Sequence, residues 1–338
     1  MKQKKITALT AISFAAALTL AACGGGGGGG GGGSGSGSNN SSSGSGSTGS
    51  GTTTVSPTTG NVSTPQYASA SAQQAIFDQI NTQRQACGFP ALTENTLLDQ
   101  AAQAHADYIG KNGGTITDEE VSGNPGFTGV TYTDRAAHFG YPTTASYATG
   151  ESAGYYTNAT LSEATYGTNI ATAWSSGVYH VAAYVWPTTQ IGIGWNETTY
   201  NGFPEAHGVI QIANLQTMSG SVPLMYPCEG ATGVPYKVVG ETPTPPNTSG
   251  AWGPAVAVGA NQSDTIVLTS ATLTDTSGNV INLQVLDSAK DTNKVLPAFE
   301  GVAYPAAPLT PNTKYSAVVS GTINGTPFTR TRTFTTGS

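Results

Sequence analysis

The chain has 338 residues, of which only 9% are charged, with 12 Lys and Arg against 19 Asp and Glu; a typical soluble domain carries about 25%. Three of the basic residues, Lys2, Lys4 and Lys5, lie in the first five positions, and without them 9 basic residues face 19 acidic ones, a net charge of −10. No basic run follows Lys5, so composition argues against nucleic-acid binding and against a polybasic membrane patch, both of which need clustered Lys and Arg.

Residues 1–23 combine a basic start with an apolar stretch from Ile6 to Ala22, the pattern of a cleavable export signal. Their end, Leu20-Ala21-Ala22-Cys23, resembles the bacterial lipobox. That resemblance implies cleavage before Cys23 and acylation of its thiol, which makes the membrane a partner; two or three acyl chains anchor durably where one does not. An ordinary signal with an incidental cysteine is the other reading, and both imply export. From residue 24 to 66 the chain is nearly all Gly, Ser, Thr and Asn, including ten consecutive glycines. Such a stretch buries too little apolar surface to order itself and reads as a disordered tether of roughly 35 Å mean span.

A first domain is expected over 67–222. Ser71 to Gln74 has the form of a capping box, followed by Ile76, Phe77 and Ile80 at helical spacing and stopped by Gly88. A second helix runs from about Asn95 to Lys111, with Leu97, Leu98, Ala101, Ala102, His105, Tyr108 and Ile109 on its buried stripe. Shorter helices follow at Thr133–Phe139 and Ser162–Ser175. The period then changes to two, giving strands at Gln190–Trp195 and Gly208–Gln216. Helices first and strands later in one unit argue for α+β layering.

With Cys23 assigned to lipid, Cys87 and Cys228 remain, and two thiols in an exported chain most simply form a disulfide. The chain-entropy model gives such a long loop about 4–5 kcal/mol. Two independent buried thiols are the alternative. A connector (223–248) contains the proline-rich Glu241–Pro246. Beyond it, 249–338 is read as all β, with strands at Ile266–Leu273, Val280–Leu286, Lys314–Ile323 and Pro327–Thr335 and a hairpin signal at Asn324-Gly325. Leu309-Thr-Pro311-Asn-Thr313-Lys-Tyr315 resembles the tyrosine-corner run of fibronectin-type and Ig-like domains.

Four stretches of the first domain share a further resemblance. INTQRQACGFPALTENTLLDQAAQAHADYIGKNG (80–113), NPGFTGVTYTDRAAHFGY (124–141), Gly150-Glu151-Ser152 and YHVAAYVWPTTQIGIG (179–194) resemble, in order, the motifs of the CAP superfamily, or SCP-like extracellular domain, in its bacterial form. The resemblance implies a CAP-type α-β-α sandwich, here followed by a small all-β sandwich. It also implies a cleft whose two histidines and two glutamates hold a divalent metal. Glu151 and His180 match that set. Asp118 is the nearest substitute for the first histidine, and the second glutamate falls on Gly177. A tentative site of His180, Glu151 and Asp118 could take Zn²⁺ or another divalent cation.

Other residues have plainer readings. Gly150 to Gly154 fits the G-x-S-x-G pattern, but neither a strand before it nor a helix after it is expected, which argues against a Ser152 nucleophile. His105 reads as a hydrogen-bonded core histidine, His138 as a surface or packing residue, and His207 as a turn residue. Glu151 with His180 is the pair to test, either as a catalytic acid-base couple or as a structural bond between loops. The family resemblance implies an extracellular head that binds a lipid, cell-wall component or protein without turnover. The alternative is a metal-dependent hydrolase or peptidase at Glu151, His180 and Asp118; a third reading is an adhesive spacer.

Overall fold

The computed structural model describes residues 17–21 (backbone only), 58–143 and 148–338. Cys23 and the glycine run lie outside the described residues. In chain order the head contains β1 (Ala17–Ala21), α1 (Ala72–Cys87), β2 (Thr93–Glu94), α2 (Thr96–Lys111), α3 (Tyr132–His138), β3 (Ala148–Tyr156), α4 (Glu163–Ser176), α5 (Ala182–Val185), β4 (Thr188–Tyr200) and β5 (Phe203–Leu215). Next come β6 (Leu224–Tyr226), β7 (Ala231–Val234) and β8 (Glu241–Thr242). The remainder is β9 (Val256–Gly259), β10 (Ile266–Asp275), β11 (Val280–Asn282), β12 (Gln284–Asp287), β13 (Glu300–Tyr304), β14 (Lys314–Ile323) and β15 (Thr326–Thr336).

The helices start and stop where side chains can satisfy their ends. Ser71 Oγ accepts from the Gln74 N–H at 3.1 Å, and Gly88, at φ +90°, takes the left-handed cap that ends α1. Asn95 caps α2 by accepting from Leu97 and Leu98. Thr131 and Asp134 form a complete capping box on α3. Residues 58–66, read as the end of the tether, lie against the head: Asn61 bridges Asn95, and the Gln66 N–H donates to Glu94 Oε2 at 2.6 Å.

The head is an α-β-α sandwich around a sheet ordered β2-β4-β5-β3-β1-β8. Alternation along β5 divides its side chains between the helical layers. Ile210 and Ile212 join Ile80, Ile170 and Trp174 in the core shared with α1 and α4, whereas Val209 packs with Ala102, Ala106, Ile109 and Tyr132 from α2 and α3. Each such aliphatic side chain contributes roughly 1.5–3 kcal/mol by leaving water. The Ile-Gly-Ile-Gly run of β4 is explained by α2: a Cβ on Gly192 or Gly194 would lie 2.1–2.2 Å from the backbone of Leu98 or Ala102. The helix therefore rests directly on the strand.

The C-terminal region forms a five-stranded sheet (β11-β10-β14-β15-β7) facing a four-stranded one (β12-β13-β9-β6). Asn324 and Gly325, at φ +51° and +80°, make the expected hairpin turn between β14 and β15. The Thr310 N–H donates to Tyr315 Oη at 3.1 Å, the bond expected of a tyrosine corner. The run Val280–Leu286, read as one strand, breaks at buried Leu283, and its halves join different sheets. Residues 223–248 are themselves structured: β6 and β7 each extend one C-terminal sheet, while β8 lies in the head's sheet beside β1. Cys87 and Cys228 are disulfide-bonded, tying the end of α1 to this segment.

Four strands of the head were not expected: the short β1, β2 and β8, and the longer β3. β3 runs through Gly150-Glu151-Ser152, and its first seven residues are all buried, so no in–out alternation marks it. His207 is also not a turn residue. It lies inside β5, fully buried, with Nδ1 3.3 Å from Asn196 Oδ1. The hairpin turn falls earlier, at Asn201-Gly202, where positive φ angles of 49° and 82° suit those two residues.

Candidate functional site

The site is built on a loop that a buried arginine holds in place. Arg84, on α1, is 0% exposed and donates to four carbonyls: Pro90 at 2.8 Å, Ala183 at 2.7 Å, Trp186 at 3.0 Å and Thr188 at 2.9 Å. Burial without a carboxylate partner lowers its pKa to about 9. These bonds fix the turn around α5, and with it the Ala183 N–H, which donates to Glu151 Oε1 at 3.1 Å.

His180 lies at the start of the same loop and is fully buried. Its Nδ1 is 2.9 Å from Glu241 Oε1, and the Glu241 carboxylate also accepts from the N–H groups of Val178 (3.0 Å) and Tyr179 (2.6 Å). Glu241 comes from β8, 61 residues further along the chain. Its Oε1 lies 3.0 Å from where a Cβ on Gly177 would stand. Gly177, where the resemblance leads one to expect a second glutamate, has no side chain, and the Glu241 carboxylate from the connecting segment lies beside it.

Asp118 completes the group. Its Oδ1 accepts from Tyr132 Oη at 2.7 Å and from Ser152 Oγ at 3.1 Å, and Ser152 Oγ also donates to the Thr117 carbonyl at 3.0 Å. Ser152 sits in mid-strand, not on a sharp strand-to-helix turn, so no nucleophile elbow exists at this serine. Burial raises the Asp118 carboxyl to about 6, with Tyr132, His180 and Ser152 acting in the opposite direction.

A fourth acid reaches the site, from the C-terminal region. Glu300, on β13, accepts from Trp186 Nε1 at 2.8 Å through Oε2. Its Oε1 and Glu151 Oε2 are buried without hydrogen-bond partners, as is Asp118 Oδ2. Glu151 and Glu300 line one cavity of about 10 Å³, roughly the room of one water, with Tyr179, Trp186 and Leu296 among its walls. Burial pushes Glu300 up to about 8 and Glu151 well above the usual carboxylate range. For Glu151 the neighbouring carboxylates of Asp118, Glu300 and Glu241 add to that rise, against the Ala183 N–H.

Of the three residues read from sequence, Asp118 interacts with His180 and Glu151 through charge, and Glu241, Glu300 and Arg84 are additions. Glu241 carried no motif, standing alone beside a run of prolines, and Glu300 belonged to a region read only as a small β-sandwich. The residues do not fit a metal centre: among the described residues no three His, Cys, Asp or Glu side chains are placed to hold one ion. The other histidines lie apart. His105 is buried, with Nδ1 3.0 Å from Glu120 Oε1 and Nε2 2.7 Å from the Thr117 carbonyl, as a core histidine should be. His138 is exposed against Phe139.

The head is an α-β-α sandwich in which buried acids gather around His180. Residues 77–213 match the family model described as "CAP: Cysteine-rich secretory protein family". Among curated proteins, none matches the chain.

Proposed function

We propose that the protein is an exported lipoprotein, anchored through Cys23, whose head binds an extracellular lipid, cell-wall component or protein without turning it over. The C-terminal β region, read as Ig-like, serves as a spacer or adhesive module. The family match and the Cys87–Cys228 disulfide support export. The observation that carries the binding reading is Glu241. It occupies His180 Nδ1 and two backbone N–H groups, and it leaves both His180 and Glu151 buried beneath a segment that belongs to the fold. A general acid or base must reach a substrate, and neither of these groups does.

Metal content tests this against the hydrolase reading. Purified chain soaked in zinc and then dialysed should hold no stoichiometric zinc by mass spectrometry, the same as a Glu151→Ala/His180→Ala variant. About one zinc per chain in the wild type, lost in the variant, overturns the non-catalytic reading. For the anchor, Cys23→Ser should move the protein from the membrane fraction to the soluble one.

A further inference from the structure

β1 lies between two strands that do not otherwise meet. It pairs antiparallel with β3 over five positions, from Ala17 opposite Tyr156 to Ala21 opposite Ser152. On its other side it pairs parallel with β8, Leu20 opposite Glu241 and Ala21 opposite Thr242. Among the described residues, β8 is joined to the sheet through β1. α4 packs against the same strand. Yet Ala17–Ala21 precede Cys23, where the lipobox resemblance places the cut.

Removing β1 leaves a gap one strand wide. Adjacent strands stand about 4.8 Å apart, so β3 and β8 would face each other across roughly 9.6 Å, too far to pair directly. Both edges would then present backbone N–H and C=O groups without ladder partners. Most of β3 along this slot is buried, Ser152 and Ala153 fully so, and unpaired polar backbone in such a place is costly. The far edge is held independently of β1, because Glu241 is bonded to the loop at Val178 and Tyr179.

We propose that the slot between β3 and β8 is a binding site for an extended, uncharged peptide segment, filled by Ala17–Ala21 in the precursor and opened when export removes them. It deepens the binding reading above and rests on it by naming the ligand class. Main-chain hydrogen bonds to two edges supply affinity, as in other strand-addition sites. Proline is disfavoured at the positions whose N–H joins the ladder with β3 or, at the last two, with β8. Acidic side chains are disfavoured at the end beside Ser152 and Thr242, where Asp118 and Glu241 already place carboxylates.

The probe is an acetylated, amidated pentapeptide with the sequence of residues 17–21, added to the chain lacking residues 1–23 and to the full chain. The shortened chain is expected to bind it saturably, with amide exchange across Ser152–Tyr156 slowed roughly tenfold or more. The full chain should show that protection unaided and bind no added peptide, and a peptide with proline at both leucine positions should bind neither. No binding to a shortened chain that still melts cooperatively overturns the proposal, and so does equal protection of 152–156 with and without residues 17–21. Should the shortened chain not fold, the full chain carrying Leu18→Pro and Leu20→Pro, which cannot form the β1 ladder, takes its place under the same criteria. Retention on lipid or cell-wall material by a chain that ignores the peptide would sink the peptide site alone; loss of all retention would sink the broader reading.

Discussion

Two histidine–glutamate pairs stand in the same head at nearly the same distance, and their surroundings differ. His105 and Glu120 meet at 3.0 Å on one side of the sheet, 15 residues apart. Glu120 there also accepts from the N–H groups of Thr128 and Gly129 and has Arg135 within 3.9 Å, so a cation and several donors meet one carboxylate. Its pKa is lowered despite burial, because His105, Thr128 and Arg135 together outweigh desolvation. His180 and Glu241 meet at 2.9 Å across 61 residues, among three further acids with unpartnered oxygens. The first pair is a finished structural tie. The second stands where the head, the connecting segment and the C-terminal region converge, and its excess of buried acid is what stability alone would not select.

Mutations that sharpen this contrast fall in a clear order. Glu120→Ala should be the most damaging, because it removes the acceptor of two backbone N–H groups, the partner of His105 Nδ1 and the countercharge of buried Arg135; a loss of about 3–5 kcal/mol is expected from chemical denaturation. Replacing both Cys87 and Cys228 by serine should lower stability by about 2–5 kcal/mol, read as a fall in melting temperature, because it frees the loop that closes on α1.

Glu300→Gln should act with the opposite sign and only at higher pH. The Glu300 carboxyl titrates at about 8 when folded, against 4.5 normally. Between these values the unfolded chain binds fewer protons than the folded one, so stability contributed at low pH is lost as pH rises from about 4.5 to about 8. Glutamine keeps an acceptor for Trp186 and carries no charge. The variant should therefore match wild type near pH 4 and exceed it at pH 9 by an amount on the order of a few kcal/mol. Melting curves across that range check it, and a parallel fall in both proteins would remove Glu300 from the account. His138→Ala, at the exposed end of α3, should change stability by less than about 0.5 kcal/mol. A larger effect there would mean that the surface histidine has an undescribed partner.

The four helices longer than one turn were legible from local signals, the capping box at Ser71 and apolar spacing in the others, although the third starts earlier than read, with Thr131 as its cap. The hairpin at Asn324-Gly325 was legible for the same reason. β3 was not, since a strand buried on both faces and carrying Thr, Glu and Ser has neither alternation nor an apolar run. His207 was misplaced because the true turn, Asn201-Gly202, lies six residues before it, and burial within a strand leaves no local mark.

At the site, Glu151, His180 and Asp118 could be picked out because they sit in or beside motifs. Glu241, Glu300 and Arg84 could not, because their importance lies in what faces them across 61, 114 and about 100 residues of chain. The sequence by itself determined the elements with local causes: the capped helices, the turn residues at Gly88 and Asn324-Gly325, and the two cysteines that pair. Only the tertiary structure decided that a carboxylate from the connecting segment fills the space beside Gly177, and that acids from two regions share one cavity. The physical reason is that caps and turns are satisfied within a few residues, whereas the charge balance of a buried site is set by whichever distant strand is packed against it.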